Sequence, residues 1–333
     1  MRFKYIQILR FFAATAVVFF HALGAGKAYL HAEKSLLFEF FKHGYLGVDL
    51  FFVISGFIIY YTTHKSNRGT ATFLLRRCER IVPLYWAATL AMISIAIILP
   101  SVFKDVGWLN SNNIAKSFLF VTFIDGHSPI VFQGWSLEFE MFFYLCVATI
   151  LLRQETAWNM LIVAFSLLVV LGCVLPVTNN YYEFFTSPLL LEFVFGIFIS
   201  SVICKNRPAN WVAFVVVCAI CAILMAEPSN NSIVVGGIPA AIIVFLAVYL
   251  DGKKVIPLGL EAALVVLGDA SYSIYLVQAF TVSLICKLWV RWMLPGTLDL
   301  LIAFIVIMTI LAGYTVYVLV ERPMLRFSHK ALA

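Results

Sequence analysis

Ten runs of about twenty apolar residues dominate this chain, and runs of that length and character leave few ways to fold. They cover residues 6–25, 45–63, 81–100, 131–152, 158–176, 187–204, 210–226, 233–250, 270–290 and 299–321. A stretch of about twenty apolar residues is the length of an α-helix that crosses a bilayer. The breaks between runs carry Gly, Pro, Asn and charge: "SNRGT", "GWLNSNN", "LPVTNN", "KNRP", "EPSNN", "DGKK" and "LPGT". Two shorter apolar pieces, near 114–124 and 258–267, read as interfacial or re-entrant segments. The whole chain is 63% hydrophobic and 12% charged over 333 residues, too little charge to cover a soluble surface. Ten spans use about 200 residues, so no separate soluble domain is expected. Residues 1–333 read as a single all-α, polytopic transmembrane domain without internal repeats.

The basic residues are distributed by loop. With the N-terminus in the cytoplasm, the cytoplasmic segments hold fifteen: Arg2, Lys4, Lys65, Arg68, Arg76, Arg77, Arg80, Arg153, Lys205, Arg207, Lys253, Lys254, Arg322, Arg326 and Lys330. The outer segments hold seven: Lys27, Lys34, Lys42, Lys104, Lys116, Lys287 and Arg291. This asymmetry predicts cytoplasmic N and C termini and an even number of spans. The net charge of +6 therefore reflects orientation rather than nucleic-acid binding. Seven cysteines, an odd number lying mostly in apolar runs, suggest no disulfide framework. Cys218 and Cys221 form a CxxC inside "VVVCAICAIL", where small apolar packing residues are expected instead of a metal or redox site. Arg2 and Lys4, an apolar run and "ALGAG" imitate a secretory signal. The run carries Arg10 and His21, which a disposable leader does not need, so it reads as a retained first span.

Ionisable groups inside a span are costly and by default mark function or pairing. Arg10 and His21 are eleven residues apart in "RFFAATAVVFFH". Eleven steps of ~100° return to within about 20° of the start, so the two side chains share one helix face, separated by about 16 Å along the axis. A face carrying both must look into protein or water. Asp49, in "GYLGVDLFFVISGFII", enters the second span from outside, at a depth similar to that of His21. It either orients the imidazole, pairs with a cation, or is a hydrated interfacial carboxylate. Ser55 and Gly56 in the same stretch permit close helix packing. Arg77 and Arg80, in "LLRRCERIVPLYW", are three apart and face one way on a helix. They serve as positive-inside anchors or, as a guanidinium pair, as a dock for a phosphorylated cytoplasmic donor.

"GWSLEFEMFFYL" opens the fourth span with Glu138 and Glu140, which point to nearly opposite sides of a helix. Only one of them is expected to face the His21 region. Glu192, in "LLLEFVFG", is a further buried carboxylate expected to find a cation. "GDASYSIYLVQ" places Asp269, Tyr272, Tyr275 and Gln278 at the start of the ninth span, and "VERPML" closes the tenth with Glu321 and Arg322.

In this order the motifs resemble those of the membrane-bound acyltransferase-3 family, the integral-membrane O-acyltransferases. Arg10 and His21 resemble its R-X10-H element, "GVDLFFVISGF" its second-span signature, and Arg77-x-x-Arg80 before "IVPLYW" its RxxR element. "WSLEFEMFFY" resembles its tryptophan-to-glutamate pattern, with the glutamate at Glu140, and "GDASYSIYLVQ" and "ERP" its closing signatures. "EMFFY" and "LLEFVFG" are most similar to compact members that acetylate bacterial exopolysaccharide of the succinoglycan type. One position departs: the family often has His where this chain has Gln278. Gln hydrogen-bonds but cannot serve as a base, which places more weight on His21.

The resemblance implies a multi-pass protein of the bacterial cytoplasmic membrane. It implies transfer of an acyl group, acetyl being the simplest, from cytoplasmic acyl-CoA to a sugar hydroxyl of a lipid-linked or surface polysaccharide. His21, Asp49 and Glu140 would be catalytic. Arg10, Arg77, Arg80, Tyr272 and Gln278 would bind substrate. Acetyl-CoA would be a donor substrate rather than a bound cofactor, with no metal and no nucleic acid involved. A transporter or flippase of lipid-linked saccharide is the alternative, although no pair of interrupted helices in two related halves is visible.

Overall fold

The computed structural model describes residues 3–30, 35–65, 69–103, 106–151, 157–175, 177–203, 233–292 and 297–331. Among these residues the chain is all-helical. Among the described residues, seven helices are long and apolar enough to cross a membrane, and two shorter apolar helices cover 158–174 and 235–250. Nine of the ten expected runs therefore fall on helices. The tenth, 210–226, lies outside the described residues together with Cys218 and Cys221.

Contacts divide the chain into two compact units, residues 1–48 with 247–333, and residues 49–246. The first unit is built on α1 (Lys4–Leu30), which packs against α11 (Leu258–Asp269), α12 (Ser271–Arg291) and α13 (Leu298–Val316). Ile6, Ala14, Val18 and Ala22 of α1 are buried together with Ile274, Leu301, Ile302 and Ile305. Glycines set the closest approaches. A Cβ on Gly268 would overlap the Gln7 carbonyl, and one on Gly313 would lie 2.6 Å from the Ile274 Cα. At one end, the Asp299 carboxylate accepts from Ser35 Oγ (2.5 Å) and the Leu36 N–H (3.1 Å), capping the short α2 (Leu36–Phe41).

The second unit contains α3 (Gly47–Lys65), α4 (Thr70–Ile98), α5 (Ser111–Leu119), α6 (Gly134–Leu151), α7 (Ala157–Val174), α8 (Asn180–Phe185) and α9 (Leu190–Ile203). It also holds most of α10 (Ile238–Leu250); α14 (Arg322–Ala331) closes the chain in the first unit. The core of the second unit is aromatic, with Phe193 stacked on Phe143 (4.4 Å) and tilted against Phe52 (4.8 Å). Polar hydroxyls on these helices turn back on their own backbone. Thr62 Oγ1 donates to the Ile58 carbonyl (2.8 Å) and Thr89 Oγ1 to the Tyr85 carbonyl (2.9 Å), so neither needs a partner from hydrocarbon. Leu90, Ile97 and Ile98 of α4 are exposed, as a lipid-facing surface requires.

Two boundaries differ from expectation. α4 begins at Thr70, eleven residues before the apolar run, and passes through Pro83. Hydropathy marks the slab a helix crosses, not where its hydrogen bonds start, and "TFLLRRCER" has no helix breaker. The segment near 114–124 is not one re-entrant helix. It is α5, capped by Asn110 Oδ1 accepting from the Asn113 N–H (2.9 Å), followed by a left-handed Phe120 (φ 58°) and a single 3-10 turn.

Candidate active site

In the first unit, Arg10 and His21 lie on the continuous helix α1, both half-buried. Arg10 Nη1 donates to Gln7 Oε1, one turn earlier, at 3.3 Å. His21 meets α12. Its Nδ1 lies 3.1 Å from Gln278 Oε1, and Phe20 presents an edge to the ring at 5.6 Å. Gln278 is 1% exposed, and its Nε2 donates to the Tyr275 carbonyl at 2.8 Å. The α12 segment that delivers it, Ser271–Leu276, is buried throughout and is tied at Ser273, whose Oγ donates to Glu321 Oε2 at 2.5 Å. Tyr272 is buried on the same helix, six residues before Gln278. Glu321 is thus a buried acceptor for α12.

The carboxylates and arginines of the second unit separate into three groups. Glu138 is 4% exposed and turned toward the 101–130 segment. It accepts from the Thr122 N–H (2.7 Å), Thr122 Oγ1 (2.7 Å) and the Phe123 N–H (3.4 Å). Glu140 points the other way, as two residues of separation on a helix dictate. Its Oε1 accepts from Ser55 Oγ (2.7 Å) and Tyr144 OH (2.9 Å). Ser55 therefore does more than allow close packing: its hydroxyl holds Glu140. Arg77 approaches the same group, with its guanidinium 5.9 Å from the Tyr144 ring and 5.7 Å from the Phe73 ring. Its Nη2 donates to Thr62 Oγ1 at 3.3 Å. Tyr144, Arg80, Glu140 and Arg76 are close enough to act on it electrostatically. The Nε atoms of Arg76 and Arg77 are buried without an acceptor among the described residues, an arrangement that suits an anionic ligand.

Asp49 and Glu192 form the third group. Asp49 is 5% exposed and Glu192 is fully buried. They lie side by side, and neither Glu192 oxygen has a donor among the described residues. Among the described residues no cation meets Glu192; another carboxyl does. Both oxygens of an ionised carboxylate only accept, so this contact is a hydrogen bond when one of the two acids carries a proton. The helices meet here at small residues. A Cβ on Gly56 of α3 would overlap the Phe193 carbonyl of α9, and one on Gly196 would overlap the Val53 carbonyl of α3.

The expected site residues thus fall into both units. His21, Arg10, Tyr272 and Gln278 belong to the first, with His21 and Gln278 in direct contact. Asp49, Glu140, Arg77 and Arg80 belong to the second, with Glu140, Arg77 and Arg80 clustered and Asp49 beside Glu192. Ser55 and Tyr144 hold Glu140, a contact that the sequence alone does not reveal. A buried serine in mid-span signals a partner, but not which one. Among the described residues no cluster of three or more His, Cys, Asp or Glu side chains could hold a metal ion.

The acyltransferase domain family matches residues 3–318, which spans both units. Among curated proteins, the exopolysaccharide production protein ExoZ of Rhizobium meliloti (strain 1021) is 32% identical over 304 residues, covering 86% of this chain and 91% of the relative. ORF330 of Acidianus two-tailed virus, provisionally named an acetyltransferase, is 24% identical over 286 residues, covering 81% of this chain and 80% of the relative. No solved structure matches the chain. The match over nearly the whole length, together with the 32% identity to ExoZ, shows that the chain belongs to the acyltransferase-3 family of O-acyltransferases.

Proposed function

We propose that this protein acts as one transmembrane catalytic domain. It takes an acyl group, acetyl, from cytoplasmic acyl-CoA and places it on a sugar hydroxyl of a lipid-linked or surface exopolysaccharide unit. The acceptor class is supported by the named role of ExoZ in exopolysaccharide production. The observation that carries the chemistry is the His21–Gln278 contact on the Arg10 face of α1. Donor binding is supported by the buried Nε atoms of Arg76 and Arg77, which have no acceptor among the described residues, with Arg80 beside them. Arg10, Arg77 and Arg80 position the CoA phosphates and thioester, and Tyr272 contributes to substrate binding.

His21 is the general base. It takes the proton of the acceptor hydroxyl as the new C–O bond forms on the acyl carbon. The C–S bond breaks and the departing thiolate receives that proton, so CoA leaves as the thiol. Asp49 and Glu140 serve the same reaction as its carboxylates, Glu140 held by Ser55 and Tyr144. In the bacterial membrane that houses such a polymer pathway, the termini lie in the cytoplasm, as the Lys and Arg distribution favours.

Mass spectrometry of surface polysaccharide from cells with and without the protein tests this reading. An acyl mass increment present only with the protein is expected. Identical polymer in both, with lipid-linked saccharide accumulating on one membrane face, would overturn it in favour of transport.

A further inference from the structure

We infer that Gln278 is a positioning residue that fixes the His21 imidazole as the Nδ1–H tautomer, so that the Nε2 lone pair is the one presented for proton abstraction. This rests on the reading of His21 as the base, but it makes a claim of its own about which nitrogen acts.

The orientation of the Gln278 amide is set by its second bond. The Tyr275 carbonyl accepts only, so the atom 2.8 Å from it must be the amide nitrogen. The oxygen therefore faces His21. That oxygen also accepts only, so the contact with Nδ1 at 3.1 Å is a hydrogen bond when Nδ1 carries the proton. A second acceptor agrees. The Val17 carbonyl, one helical turn earlier, also bonds the imidazole. The ring nitrogen that reaches back four residues is the one nearer the backbone, as His64 does through Nδ1 to the Tyr60 carbonyl at 3.1 Å. Two acceptors thus converge on Nδ1. In the neutral imidazole one nitrogen donates and the other accepts, so Nε2 is the basic one.

The residue type matters. A primary amide keeps its polarity at every working pH, because it neither gains nor loses a proton there. It therefore orients the imidazole without competing for the acceptor's proton. When Nε2 takes that proton, the Nδ1–H bond to Gln278 becomes charge-assisted and strengthens. Burial of Gln278 at 1% exposure keeps water from replacing it. A catalytic histidine held in the wrong tautomer loses rate rather than binding. The 278 position thus orients the imidazole without adding a second base.

The test is nitrogen NMR of the full-length protein in lipid, with 15N-labelled histidine rings and Ala at 21 to identify the signal. Wild type is expected to show a protonated Nδ1 and an unprotonated Nε2 at His21. An Nε2–H signal in wild type overturns the inference, and needs no variant to do so. Gln278→Met removes the acceptor at similar volume and is expected to give mixed tautomers. It should lower kcat by about tenfold to a hundredfold, because the charge-assisted bond that steadies the protonated imidazole is lost, with KM for acyl-CoA within about threefold. Gln278→Glu restores an acceptor toward Nδ1 and is expected to restore the Nδ1–H signal and part of the rate. Unchanged tautomer and kcat in Gln278→Met would overturn the inference, as would loss through KM alone. Full activity of His21→Ala would instead overturn the base assignment while leaving the tautomer result standing.

Discussion

Replacing Glu138 by Ala should loosen the 101–130 segment and lower the stability of the second unit, while the neighbouring Glu140 behaves differently. Glu138 is 4% exposed and Thr122 is 1% exposed, so water cannot replace the lost carboxylate. The Ala variant orphans the Thr122 N–H and its hydroxyl, both bonded at 2.7 Å, and removes the longer bond from the Phe123 N–H. Each buried donor left without a partner costs ~1–3 kcal/mol. The hydroxyl can rotate and the backbone N–H cannot, and removing a buried charge returns part of the loss. The expected net is about 3 kcal/mol. For a unit of this size, about 1 kcal/mol moves the midpoint by 2–4 °C, so a fall of about 6–12 °C follows. Glu138→Gln keeps an oxygen for both Thr122 donors and should cost about 1 kcal/mol. Thermal unfolding in detergent, with limited proteolysis of the 101–130 segment, reads both. Acyl transfer by the folded Glu138→Gln protein should stay within about threefold of wild type, because a buried structural acceptor contributes through stability. Glu140→Gln should lose activity at a nearly unchanged midpoint. A Glu138→Ala protein that unfolds within 1 °C of wild type, roughly a quarter of a kcal/mol, would refute the reasoning.

Gly56→Ala places a methyl against the Phe193 carbonyl. That methyl would lie 2.1 Å from the oxygen, and carbon needs about 3.5 Å, so α3 and α9 must part by about 1.4 Å, at a cost of about 1–3 kcal/mol. An unfolding midpoint equal to wild type would show that the helices do not touch there. Glu192→Gln gives Asp49 an N–H donor, so this variant should unfold no lower than wild type while Glu192→Ala unfolds lower; a large loss in the Gln variant would contradict the placement of the two acids side by side. Asp125, in the turn after α5, is held below the usual carboxylate range by its ion pair with Lys116 and its bond from Asn112 Nδ2 (2.7 Å). A depressed carboxyl stabilises above its unfolded value of about 4 and stops doing so as pH falls through the folded value. Hydrogen exchange across 112–125 should therefore be flat from neutral pH to about 4, once intrinsic rates are removed, and lose protection below it. Protection lost already near pH 6 would point to a different titrating group.

What could be read from sequence was the part governed by period and length. The Arg10–His21 face needed only the pitch of a helix, and α1 runs unbroken through both residues. The opposed directions of Glu138 and Glu140 needed only the ~100° step per residue. Partners were beyond that reach. His21 and Gln278 are 257 residues apart and Ser55 and Glu140 85 apart. Which helix packs on which decides such pairs, and periodicity gives a face without naming its neighbour. Glu192 was the clearest miss, because a buried acid normally implies a cation; here the crossing at Gly56 and Gly196 brings Asp49 instead. The early start of α4 was hidden for a different reason. Arginines end an apolar run but not a helix, so Arg76, Arg77 and Arg80 continue the turns that follow.

The most direct measurement places the purified protein in vesicles with radiolabelled acetyl-CoA and a saccharide acceptor, and compares wild type with His21→Ala at matched folded amount. Label is expected on the acceptor hydroxyl with wild type and at least a hundredfold less with the variant, since a lost general base costs about 10²–10⁴ in rate. Equal labelling by the two proteins would contradict it.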